Sequence, residues 1–493
     1  MSAVTASSHA SHAPTASTAA ARSTPPGFDR RGKLALAAIA SAGLMTVLDG
    51  SIVTVALPSI QNDLHFSTAG ISWVMNAYLL AFGGLLLLAG RLGDLLGRKR
   101  MFLGGIGVFV AASALAGAAT TPAMLVGARF LQGIGSAAAA AVSLGILVTL
   151  FTEPGLRGRA IGVYSFTGAA GASIGQVLGG VLTETLSWHW IFYINLPIGL
   201  ATLVLAVRAV PNDRGLGLRA GADTPGALLI IAGLMLGIYA VVGTAQYGWA
   251  SARTLGLGAL AALLIAGFLV RQAYAATPLM PLRILRSRNL VGANAVQILM
   301  ISAMFAFQIV VSLAMQHVLG YGAAATGLAM LPAAASIGAT ALLISARLIA
   351  RFGPRTVLVS GLIMLAAALA LLPGLPVHAG YAADLLPTML LISGGGLAMP
   401  AAASLGMSGA REQDAGLVSG LYNTTQQIGS AAGAAVLTTL SASRTAALLR
   451  AGRSTPDALM GGYHLAFTVG VGLLLAALAV ALLVLRPARA ARP

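Results

Sequence analysis

The chain contains no cysteine. That excludes a disulfide, thiolate catalysis and a Cys-ligated metal. Charge is nearly as scarce: 8% of the 493 residues are charged, and only 12 are acidic. A soluble globular domain carries about 25% charged residues, so a chain this long cannot cover a water-facing surface. No Walker A sequence is present, which excludes ATP as an energy source in cis. No paired His/Glu metal motif and no nucleophile–base constellation appear, so the reading is a non-enzyme without metal or cofactor. What the chain has instead is apolar surface: 58% hydrophobic residues and a mean hydropathy of +0.89. Lipid is the expected solvent for most of it.

In lipid, backbone polar groups are satisfied only in helices or closed barrels. Barrel strands would alternate over about 10 residues. Here the apolar runs are unbroken and about 20 residues long, so the expected fold is an all-α integral membrane protein. The 61 glycines suit close helix approach. A hydropathy walk gives fourteen spans: 34–58, 70–90, 101–120, 123–148, 158–183, 190–210, 225–244, 254–275, 290–315, 325–346, 356–374, 383–406, 415–440 and 463–485. The corresponding domains are a disordered cytoplasmic tail (1–33), a six-helix bundle (34–210), two additional helices with linkers (211–289), a second six-helix bundle (290–486) and a short tail (487–493). The first tail carries no apolar run before the first span, so it does not read as a cleavable signal peptide. His9 and His12 within it lack metal-site spacing.

The net charge of +17 is a topology signal. With the N-terminus in the cytoplasm, 24 of the 29 basic residues fall in inside segments, four in outside loops, and Arg129 within a span. Both termini are therefore expected in the cytoplasm. The sequence pI of about 11.3 needs no nucleic-acid partner.

The loop Gly90–Arg100 repeats in shortened form at Arg347–Arg355. Arg91, Leu92, Gly97 and Lys99 align with Arg347, Leu348, Gly353 and Arg355, each 256 residues later. Parallel six-span repeats mark a rocking transporter with its site between the halves.

Two charges lie inside spans. Asp49 sits near the middle of the first, where a carboxylate costs about 2.5–3.5 kcal/mol on insertion scales. A carboxylate that exchanges a proton as its surroundings change can couple proton flow to substrate movement. Arg129 in the fourth span stays protonated and can act on a nearby carboxylate or hold a water relay.

Five stretches resemble the major facilitator superfamily, specifically its fourteen-span drug:proton antiporters, over residues 34–486. They are Leu48–Pro58, Gly90–Arg100, Arg129–Gly135, the glycines Gly162, Gly171, Gly175, Gly179 and Gly180, and Trp188–Pro197. One position departs from the pattern: Gln176 follows Gly175, where the family usually has proline. The resemblance implies the major facilitator fold, with two six-helix bundles plus two extra helices. It also implies proton-coupled export of small lipophilic drugs or antibiotics across a bacterial cytoplasmic membrane, by a chain acting as a monomer. A proton-coupled importer or metabolite carrier on the same fold is the alternative. The expected roles are proton coupling for Asp49 and Arg129, gating for Gly90, Asp94 and Arg98, and helix packing for Gly171, Gly175, Gly179 and Gly180. The polar or aromatic groups Trp73, Tyr78, Asn195, Gln316, Asn423 and Gln426 are substrate-cavity candidates. The two extra helices carry no buried charge and read as peripheral. The expected partners are a small-molecule substrate, protons and the lipid bilayer, with no nucleic acid.

Overall fold

The computed structural model describes residues 29–66, 70–217, 223–275, 278–408, 411 and 414–486. Both tail assignments fall mainly outside these residues, His9 and His12 included. Among the described residues there is no strand.

The helices are α1 (Arg30–Asp63), α2 (Ser72–Leu96), α3 (Arg98–Gly117), α4 (Pro122–Leu150), α5 (Pro154–Thr185) and α6 (Trp190–Ala209). Then come α7 (Thr224–Tyr247) and α8 (Ala252–Tyr274). The last six are α9 (Arg288–His317), α10 (Ala325–Phe352), α11 (Pro354–Ala370), α12 (Tyr381–Met407), α13 (Ala415–Arg450) and α14 (Thr455–Leu483). Thirteen of these are long and apolar enough to cross a membrane. The exception is α5, whose 32 residues have the length but whose glycines, serines and threonines dilute its apolarity.

Helix starts follow capping chemistry. Asp29, Thr121, Asp223, Ser251, Ser287 and Ser454 each accept from a backbone N–H three residues on, supplying a partner that the first turn lacks. Helices α1–α6 pack among themselves, and α9–α14 form a second packed group.

The 256-residue repeat is structural. Gly97 and Gly353 both turn the chain at positive φ, +101° and +79°, a region that favours glycine. Lys99 Nζ donates to Val207 O at 2.9 Å, and Arg355 Nη2 to Leu482 O at 2.5 Å, so each loop ties down the end of its bundle's last helix. A Cβ on Gly105 would sit 2.7 Å from Gly135 O, and one on Gly361 would sit 2.6 Å from Gly394 O. In lipid, association rests on close approach rather than on apolar transfer, and both bundles use glycine for it.

The extra helices are less peripheral than the sequence implied. α7 packs on α2 and on α13, touching both bundles, while α8 packs mainly on α7. A separate apolar cluster joins Leu87, Ile230, Leu234, Phe268 and Leu417 there.

Candidate functional site

Asp49 and Arg129 are both fully buried and form an ion pair, Nη1 to Oδ2, at 2.5 Å. Asp49 Oδ1 also accepts from Gln132 Nε2 at 3.2 Å and from Asn195 Nδ2 at 3.1 Å. Three helices, α1, α4 and α6, thus converge on one carboxylate. Arg129 is held from the other side. Its Nε donates to Val74 O at 2.9 Å, its Nη1 to Gln132 Oε1 at 2.9 Å, and its guanidinium lies 4.5 Å from the Tyr78 ring centroid. Gln132 is fixed in turn by Ser113 at 2.8 Å. Such a pair is held in balance. Removing one partner strands a buried charge at a cost of about 3–5 kcal/mol.

At the end of the molecule bearing the loop between α2 and α3, Asp94 reaches across the bundles. Its Oδ1 accepts from Gly416 N at 2.9 Å and its Oδ2 from Leu417 N at 2.8 Å. These are unsatisfied donors at the N-terminus of α13, where the helix dipole favours negative charge. Arg98 Nε pairs with Asp94 Oδ1 at 3.2 Å. Gly90 makes the approach possible, since a Cβ there would lie 2.5 Å from Gly416 O. Arg91, three residues before Asp94, is itself buried.

The seam extends inward. Asn423 Nδ2 donates to Ala140 O of α4 at 3.1 Å, about 10 Å along α13 from Gly416 at 1.5 Å per residue. On the other side of the bundles, Gly162 of α5 approaches Ala341 O and Gly158 approaches Ala346. Gly180 lies five full turns beyond Gly162 on the same face of α5, yet a Cβ there would meet nothing within 4 Å. The bundles therefore meet at the loop end and part toward the other.

Several expected positions land elsewhere. Tyr78 and Asn195, read as cavity candidates, are buried against the ion pair, and Tyr78 OH also donates to Ser136 Oγ at 3.1 Å. Asn423 is buried in the seam. Trp73 is partly exposed and stacks on Tyr239 of α7, centroids 5.9 Å apart. It also lines an open apolar cavity of about 650 Å³ with Leu80, Leu115, Met124 and Leu131 of α2, α3 and α4, which is not between the bundles. Gln316 is exposed near the end of α9, and Gln426 is half-buried on α13. Gly171, Gly175 and Gly179 press on α1 at Leu44, Leu48 and Ile52, as packing glycines should. Gly180 does not: a Cβ there meets nothing within 4 Å. One residue rotates a helix by about 100°, which turns Gly180 away from the face that Gly179 presents. Gln132 was missed, although it stands three residues after Arg129, on the same helix face. Among the described residues no group of three His, Asp or Glu could hold a metal.

The Major Facilitator Superfamily profile matches residues 39–434. The chain is 40% identical over 462 residues to the puromycin resistance protein pur8 of Streptomyces alboniger, covering 92% of each chain. It is 38% identical over 452 residues to the cephamycin export protein CmcT of Amycolatopsis lactamdurans, covering 90% of this chain and 91% of that one. The tetracenomycin C resistance and export protein of Streptomyces glaucescens is 34% identical over 411 residues, 83% of this chain and 76% of that protein. Among solved structures, the human organic anion transporter MFSD10 (TETRAN) superposes with a TM-score of 0.66 at 15% identity, over 92% of this chain and all of that one; at that identity the likeness is one of fold. Together with the paired bundles and the repeated loop, these matches make the chain a multi-pass membrane transporter that belongs to the major facilitator superfamily.

Proposed function

We propose that the protein is a proton-coupled antiporter that exports small lipophilic drugs or antibiotics by alternating access across a bacterial cytoplasmic membrane. Residues 34–210 and 290–486 act as the two rocking bundles, in a monomer with both termini in the cytoplasm. The single observation that carries this reading is the fully buried Asp49–Arg129 pair, braced by Gln132 and Asn195. An intramembrane ion pair at a junction of three helices is a functional site by default. The functions of the relatives, resistance and export, favour outward transport over import.

With the loop end in the cytoplasm, the bundles are closed on that side and parted toward the outside. Arg129 lies seven residues into α4 from the opposite end to the loop, about 10 Å along the helix axis. A proton arriving from outside neutralises Asp49 and frees Arg129 from its partner. The bundles then rock, Asp94 leaves the α13 terminus, and the proton departs inward as the pair re-forms around new substrate. One elementary charge moving inward yields about 2.3 kcal/mol per 100 mV.

The test is dye transport in proteoliposomes under an imposed pH gradient, with lipophilic cationic and neutral dyes. Gradient-driven uptake by the wild type that Asp49→Asn abolishes, in a protein that still folds, is the expected result. Equal transport by both proteins would move the coupling away from Asp49. Accumulation along the proton flux rather than against it would replace export by import.

A further inference from the structure

The segment after α6 is bound to the gate, not merely strung between the bundles. Asp213 Oδ2 accepts from Arg98 N at 2.6 Å and its Oδ1 from Lys99 N at 3.1 Å, so this carboxylate caps α3. Leu216 N donates to Asp94 O at 3.0 Å and Gly217 N to Leu95 O at 2.9 Å, so 213–217 lies along the last turn of α2 and satisfies two of its free carbonyls. Two glycines permit the fit. A Cβ on Gly97 would lie 3.0 Å from Asp213 O, and one on Gly215 would lie 2.5 Å from Gly97 N and run into Leu95 O. Asp94 and Arg98, the two charges at the gate, are therefore both held through their backbones by this one segment.

The second repeat shows why the first needs it. There the helix after the turn begins with Pro354, which has no N–H to satisfy. In the first repeat α3 begins with Arg98, whose N–H and that of Lys99 require an acceptor, and Asp213 supplies it from 115 residues away. We propose that Asp213 is a positioning residue of the gate. Its cap on α3 holds the Asp94 turn in the geometry that grips α13, and releasing the 213–217 strap shifts the transporter toward the state open at the loop end. This rests on the alternating-access reading, but not on proton coupling.

The absence of cysteine allows a direct test with single-cysteine reporters on the full chain. Ser419 is fully buried on α13 between Gly416 and Asn423, so Ser419→Cys reports opening of the loop end. Gly180→Cys, on the bundle-facing side of α5 with open space at its Cβ, reports the opposite end. Maleimide labelling rates are measured in detergent, with and without Asp213→Ala. Loss of a helix cap predicts about a five- to ten-fold faster reaction at position 419 and a slower one at 180. Asp213→Asn, which keeps an acceptor oxygen, gives a smaller shift of the same sign and serves if the alanine variant does not fold. Unchanged rates at both positions, or faster labelling at both, overturn the proposal: the first makes the strap a tether, the second makes its loss a general loosening. Because no transport is measured, the outcome is independent of whether Asp49 couples protons.

Discussion

The two bundles share a scaffold and differ in their charges. In the first, Ser51 Oγ donates to Gly171 O at 3.1 Å across α1 and α5; in the second, Ser302 Oγ donates to Gly429 O at 2.8 Å across α9 and α13. Gly97 and Gly353 make the same turn. Yet the second loop has the exposed Ala350 at the place of Asp94, and the buried ion pair belongs to α1 and α4 alone. The polar cluster of the second bundle is neutral: Tyr422 OH donates to Gln297 Oε1 at 2.8 Å, and Thr425 Oγ1 to Asn294 Oδ1 at 2.8 Å. One half carries the buried ion pair and the carboxylate that meets a helix dipole, and the other supplies the helix end being gripped.

The largest effect should come from breaking the charged side of that contrast. Arg129→Ala leaves Asp49 buried without its cation, a cost of about 3–5 kcal/mol. Gradient-driven transport is expected to vanish, with the thermal midpoint in detergent falling as well. Gln297→Leu in the neutral cluster should leave coupling intact, measured as transport per imposed pH unit. If both variants lost coupling equally, the division of labour between the bundles would be wrong.

Next is the gate. Asp94→Ala removes two charge-assisted hydrogen bonds to α13, each worth about 1.5–3 kcal/mol, and exchange should fall by about ten-fold or more on that scale. Ala350→Asp, which adds the missing carboxylate to the second loop, should change exchange little, because the position is exposed and a charge there stays solvated.

A smaller contrast lies within one motif. Gly175→Ala drives a methyl into Ser51 and to 2.8 Å from Leu48 O, whereas Gly180→Ala meets nothing. The first should lower the melting temperature by several degrees. The second should be neutral or raise it slightly, since alanine is favoured over glycine in helices by about 1 kcal/mol.

The smallest effect concerns α7 and α8, which belong to neither bundle. Burial pushes the Asp223 carboxyl up, but hydrogen bonds from Gly226 N, Gln272 and Arg271 outweigh it and hold the group below its ordinary value. A depressed carboxylate contributes stability that is present above its unfolded value, about 3.9, and is lost as pH falls through its folded value. Thermal midpoints of wild type should therefore drop below about pH 4 more steeply than those of Asp223→Asn. Parallel curves would show that this cap does not matter to the hairpin.

Much of this was legible in the chain. Span length, the repeated loop and the isolated charges at 49 and 129 follow from what lipid permits, because unsatisfied backbone and unpaired charge are costly there. The packing role of Gly171, Gly175 and Gly179 was legible because small residues line close helix approaches in lipid. Gly180, Tyr78 and Asn195 stand otherwise than their types suggest for one reason: a residue's type does not say which way its helix is turned. Tyr78 and Asn195 are polar residues in spans, and only the packing of α2 and α6 shows that they face the ion pair.

The sequence by itself determined that this chain spans a membrane many times, that it is built from a duplicated six-helix unit, and that two charges must be satisfied inside it. Each is a local matter of composition, period or desolvation. Only the tertiary structure decided that those two charges are partners, that Asp94 grips the α13 terminus 322 residues away, and that the linker after α6 is strapped to the turn between α2 and α3. Such pairings join helices far apart in sequence. They depend on helix rotation and close backbone approach, which no local pattern encodes.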